Sequence, residues 1–149
     1  MVVSDRHPPA EASAGPSYPG ERIGLPESGP GSVAGWGRRG LALVIDWFAS
    51  RLVAGVFVGS VVWTGNGLEQ LWVPAVFILE ASLLTPLMGG SFGQLITRVT
   101  VIPLDRRRLN LLQSTLRTVL ICLVIPPLVF NRDQRGLHDL AVGTVAVRR

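Results

Sequence analysis

Lysine is absent from this chain, and all fourteen basic residues are arginine. Cysteine occurs once, as Cys122 inside an apolar run, so an intramolecular disulfide is excluded and the redox compartment is left open. Histidine occurs twice, at His7 and His138, which leaves no Cys/His cluster for a metal. H-E-x-x-H, G-x-S-x-G and phosphate-loop patterns are likewise missing. A lone His138-Asp139 step is more often structural than catalytic. The expectation is therefore a protein that is not an enzyme and carries no cofactor or metal. Charge is also scarce: 16% of residues are charged, against about 25% in ordinary soluble domains.

What the chain has instead is long apolar runs, with a mean hydropathy of +0.40 over 149 residues. The pI near 10.9 by itself would suit nucleic acid. The arginines, however, flank apolar runs in the manner of membrane anchors, and no nucleic-acid-binding motif occurs. The expected partner is the lipid bilayer, with no role for nucleic acid. The length allows one domain plus tails.

Residues 1–33 hold six Pro and five Gly with few large apolar residues. Such a stretch cannot build a core and reads as a disordered tail; with no apolar run after the start, it does not read as a signal peptide. Residues 34–149 read as a transmembrane domain. A first membrane segment spans about Leu41–Trp63, with Gly55 and Gly59 forming a G-x-x-x-G that admits a neighbouring helix. A second spans about Leu71–Met88, ended by Pro86 and Gly89-Gly90. Trp63 and Trp72 bracket the turn between them, and Trp36 and Trp47 mark the opposite interface. Val99, Val101 and Ile102 suggest a short extended piece, followed by a basic loop with Arg106–Arg108. A third segment, Leu111–Phe130, is broken by Pro126-Pro127. Leu140–Val147 is an apolar surface segment, β-prone at its end. The fold class is all-α: two clear transmembrane helices, a third Pro-broken segment, a basic cytoplasmic loop and a C-terminal surface segment.

The arginine distribution places the N-terminus and the second loop in the cytoplasm. Three full crossings then put the arginine-rich tail outside, against the same rule. Residues 111–130 either cross or re-enter, and the charge pattern favours re-entry.

Charges inside the segments are costly and need partners. Counted at about 1.5 Å per residue, Arg51 and Glu80 fall near mid-membrane, and Asp46 and Arg117 nearer the basic end. Depth matching pairs Arg51 with Glu80 and Asp46 with Arg117. Arg39 and Asp46, seven residues apart, share one helix face. Such pairs fix helix register or, with Asp46 and Glu80 as carriers, form an ion or proton path.

These residues together resemble the RDD family of small bacterial membrane proteins. Arg39-Gly-Leu-Ala-Leu-Val-Ile-Asp46 is similar to the family's opening R-x-x-A-x-x-x-D. Gly90-Ser-Phe-Gly-Gln94 followed by Arg98-Val-Thr-Val101 resembles the stretch after its second segment, with Gln94 where the family pattern has Lys. Leu116-Arg117 resembles the opening of its third segment. Arg135-Gly-Leu-His-Asp139-Leu-Ala-Val-Gly143-Thr144-Val-Ala-Val147 resembles the closing R-x-x-H-D-x-x-x-G-T-x-V. The resemblance implies a multi-pass protein of the bacterial inner membrane and, as named residues, Arg39, Asp46 and Asp139. His138, Gly143 and Thr144 belong with Arg135 to the closing motif. Arg39, Asp46 and Asp139 are expected to converge at the cytoplasmic face, with Asp139 meeting Arg39 and Asp46 meeting Arg117. The functional expectation is a non-enzymatic accessory protein bound to another membrane protein or to a second copy. The competing expectation is an oligomeric ion or small-solute transporter.

Overall fold

The computed structural model describes residues 15–105, 107–123, 129 and 131–149. Helix α1 runs from Trp36 to Val58, about 34 Å of helix and enough for a hydrocarbon core of about 30 Å. It ends at Gly59, whose φ of 74° suits glycine. The short helix α2 (Val61–Thr64) turns the chain. A 3-10 turn, Leu68–Leu71, leads into α3 (Trp72–Met88). Pro74 sits in the first turn of α3, where its missing N–H costs little. Gly89, at φ 88°, closes α3 with its N–H on the Thr85 carbonyl, a left-handed cap.

Helix α4 (Phe92–Ile96) opens with a capping box made by Ser91 and Gln94. Strand β1 (Val99–Pro103) follows. Helix α5 (Leu111–Cys122) opens with a second capping box, Asn110 with Gln113. Helix α6 (Leu137–Val142) and strand β2 (Thr144–Arg148) complete the described chain. The two strands pair antiparallel, Val99 opposite Arg148 and Pro103 opposite Thr144. The fold is thus mostly helical, with one two-stranded ribbon where β-branched residues cluster.

Two helices, Trp36–Val58 and Leu68–Met88, are long and apolar enough to cross a membrane. Only 22% and 28% of their apolar windows are buried within the chain. The core helix of a soluble protein would hide that surface. Here Leu52, Val56, Phe57, Leu79 and Leu87 point outward, which suits hydrocarbon rather than water. Helix α3 packs against both α1 and α5, and Ser114 Oγ donates to the Ala81 carbonyl at 3.2 Å. One small core joins Ala54, Val62 and Val73 near the turn; another joins Ala34, Val99 and Ala146 at the ribbon.

Several sequence expectations are corrected here. Residues 15–33 carry defined structure where a disordered tail is expected. Gly31 N–H donates to Arg148 O, Arg148 N–H to Ser32 O, and Val33 bridges Val147. Backbone hydrogen bonds to β2 hold this edge without needing large side chains; residues 1–14 lie outside the described residues. The Gly55/Gly59 pair does not form an open docking face. Gly55 lies under Val62 and Trp63 of the same chain, and Gly59 is the helix terminus. Trp47 lies within α1, its ring 4.9 Å from the Arg51 guanidinium.

Of the expected third segment, Leu111–Phe130, the described residues show helix α5, Leu111–Cys122, which by itself is shorter than a span. Helix α5 covers about 18 Å, and 124–128 and 130 lie outside the described residues. The residues on either side decide where the tail goes. β2 pairs with β1, and α6 packs on α5. The second loop, the C-terminus and residues 31–34 therefore share one end of the helices, which agrees with return rather than an exit on the far side.

Candidate functional site

The shared end is closed by a buried arginine–carboxylate cluster. Asp139, in α6, has no exposed surface. Its Oδ1 accepts from Arg117 Nε at 2.9 Å and from Thr144 Oγ1 at 3.1 Å. Its Oδ2 lies 3.4 Å from Arg39 Nη1 and 3.5 Å from His138 Nε2. Burial alone would raise the Asp139 carboxyl. Arg117, His138 and Arg39, with the hydrogen bond from Arg117, outweigh it and hold the carboxyl below its ordinary range.

Each residue of the closing motif has a local reason. Gly143, at φ 68°, gives the left-handed turn that ends α6 and brings Thr144 back onto Asp139. Arg135 Nε donates to the Thr144 carbonyl at 2.9 Å, pinning the start of β2. Arg39 links three separated segments: besides Asp139, its Nε donates to Ala34 O at 2.9 Å and its Nη2 to Ala146 O at 3.0 Å. The planar fork of arginine makes this threefold attachment feasible; a single ammonium would not span it.

Asp46 is held differently from the expected pairing with Arg117. Ser91 Oγ donates to its Oδ2 at 2.6 Å and Gly93 N–H to its Oδ1 at 2.5 Å. Gly93 has no Cβ, and one added there would overlap the Ala42 carbonyl oxygen on α1. Glu80 does not pair with Arg51 either: it accepts from the Phe92 N–H at 2.6 Å. Both carboxylates are taken by the first turn of α4, whose N–H groups lack helical acceptors. Arg51 lies between two indoles, 4.9 Å from the Trp47 ring and 5.0 Å from the Trp63 ring. Cation–π contact thus replaces the ion pair.

Ser91 and Gly93 are not among the site residues that the sequence points to. The usable signals were the S-x-x-Q capping pattern at Ser91–Gln94 and a glycine in the first turn of a short helix. Asp46 and Arg117 do face a common space, a cavity of about 90 Å³ whose walls include Arg39, Gln94 and His138. Its walls are mostly apolar, and the few polar groups among them suit water or one small polar group. Among the described residues, no three His, Cys, Asp or Glu are grouped to hold a metal ion.

These features define a helical membrane protein whose loop and tail fold back onto one end of the bundle, closing it with buried arginine–carboxylate contacts. Residues 33–143 match the sequence pattern of the RDD family. The match covers most of the chain, and the protein belongs to the RDD family. No curated protein and no solved structure gives a match.

Proposed function

We propose that this RDD-family protein is a non-enzymatic accessory protein of the bacterial inner membrane. It crosses the membrane more than once, keeps its N-terminus in the cytoplasm, and binds another membrane protein or a second copy of itself. The observation carrying this reading is that the charged groups within the described membrane helices are bonded inside the chain. Arg38 donates to Thr97 O; Arg39 and Arg117 hold Asp139; Asp46 and Glu80 hold α4; Arg51 is stacked between indoles. What α1 and α3 offer outward is apolar surface for lipid or a partner helix. The orientation rests on charge: Arg38, Arg98, Arg107, Arg148 and Arg149 gather at the ribbon end, whereas the opposite turn carries Glu69 and no arginine.

A photo-crosslinking residue at Val56 or Leu79, both outward-facing, tests the reading in cells. A stoichiometric adduct with one membrane protein, or with a second copy, is expected. Adducts with lipid alone would refute it. The cavity shared by Asp46 and Arg117 favours a second reading, an oligomeric ion or small-solute transporter. That reading requires flux in proteoliposomes that Asp46→Asn abolishes.

A further inference from the structure

A second, open groove of about 620 Å³ lies between α1 and α4 at the same end of the molecule. That volume is within the range of about 300–1,000 Å³ typical of small-ligand sites. Arg38 and Arg98 line it together with Leu41, Ile45 and Ile96, and no acidic side chain does. Arg38, Leu41 and Ile45 are spaced three and four residues apart, so they form one stripe along α1. Along the helix axis, Leu41 and Ile45 lie about 4.5 and 10.5 Å beyond Arg38. The groove therefore runs from cationic at its end to apolar along its length, in the direction in which α1 enters the membrane. Leu41 and Ile96 are 56% and 54% exposed, which leaves the apolar wall open to a ligand.

The fold fixes the Arg38 side chain and the Arg98 backbone. Arg38 Nη1 donates to the Thr97 carbonyl at 2.9 Å, which uses one of five guanidinium donors. Arg98 has a left-handed backbone, φ 56°. Its N–H donates to Leu95 O, and its carbonyl accepts from Arg149 N–H. Its side chain is exposed and forms no ion pair among the described residues.

We infer that this groove holds one anionic phospholipid of the surrounding bilayer. The phosphate sits between Arg38 and Arg98, and an acyl chain lies along Leu41, Ile45 and Ile96. Charge complementarity selects the phosphate, since two guanidiniums without an ion pair among the described residues flank it. The apolar stripe selects a lipid over a free anion. The inference rests on the membrane character of the fold and is independent of the accessory role. A failure of the membrane reading would show separately, as a chain that alkaline carbonate strips from vesicles.

The test is native mass spectrometry of the full chain from mixed micelles containing phosphatidylglycerol or phosphatidylcholine. One phosphatidylglycerol per chain should be retained in preference to phosphatidylcholine. Each basic residue near a membrane surface contributes about 1 kcal/mol, so Arg98→Gln should weaken retention about five-fold. Leu41→Gln, which leaves the charges alone, should weaken it too. Arg132→Gln, an exposed charge outside the groove, should change nothing, and inorganic phosphate should not displace the lipid. Circular dichroism of each variant separates loss of binding from loss of fold. Equal retention of phosphatidylcholine, equal weakening by Arg132→Gln, or displacement by inorganic phosphate would each overturn the assignment.

Discussion

Replacing Gly93 by alanine is expected to open the packing between α1 and α4 and to strip Asp46 of its donors. The added methyl meets the Ala42 carbonyl oxygen and Asp46 Cγ. A backbone carbonyl inside a helix cannot rotate away, so α4 must move. Overpacking of this kind costs about 1–3 kcal/mol. Movement of α4 also lengthens the bonds from Gly93 N–H and Ser91 Oγ to a carboxylate that is only 2% exposed. Hydrogen bonds to charged groups are worth about 1.5–3 kcal/mol each, and part of both is lost. The combined destabilisation is about 3–5 kcal/mol, a large part of the 5–15 kcal/mol typical of a folded protein. Equilibrium unfolding in mixed micelles, followed by circular dichroism and tryptophan fluorescence, measures it. Gly40→Ala is the internal comparison: its Cβ would meet nothing within 4 Å, and alanine is the better helix residue, so that variant should be neutral or more stable by about 0.5–1 kcal/mol. If Gly93→Ala costs less than about 1 kcal/mol, the close approach of α4 to α1 does not hold Asp46, and the reasoning fails.

Asp139→Ala leaves Arg117 buried without its counter-charge and should cost about 3–5 kcal/mol. Combined with Arg117→Ala it should cost less than the sum of the two single changes, by about 0.5–3 kcal/mol in a double-mutant cycle; strict additivity would show that the pair does not interact. Because the folded Asp139 carboxyl titrates below its unfolded value, its stabilisation is complete above the unfolded carboxylate range near pH 4 and disappears as pH falls through the lower, folded value. Unfolding measured from pH 7 down to pH 2 should therefore show an acid limb that Asp139→Asn flattens. In a Cys122→Ala background, single cysteines introduced at Asp105 and at Arg149 should be labelled from the same side of sealed vesicles, and one at Asn66 from the other; labelling of Arg149 with Asn66 would refute the shared end.

The sequence by itself determined the elements that depend on local chemistry. Apolar runs of sufficient length defined α1 and α3, because the bilayer sets a length that composition alone can meet. Gly89 marked the end of α3, since such a cap is decided within one helical turn; helices α4 and α6 are not among the sequence expectations, although the Ser91–Gln94 capping box and the Gly143 turn that bound them are local signals. The meeting of Arg39 with Asp139 was also accessible from the motifs, although a hundred residues separate the two. Depth matching, however, failed for Arg51, Glu80 and Asp46. Depth restricts partners to a layer but says nothing about azimuth or about which backbone donors are left over. Only the tertiary structure showed that the first turn of α4 supplies those donors, that two indoles enclose Arg51, and that residues 31–34 form an edge on β2. In each case the deciding group is a backbone N–H, a backbone carbonyl or a ring face. Such groups carry no signature in a list of charged side chains, and they become partners only when packing brings distant segments within about 3–5 Å.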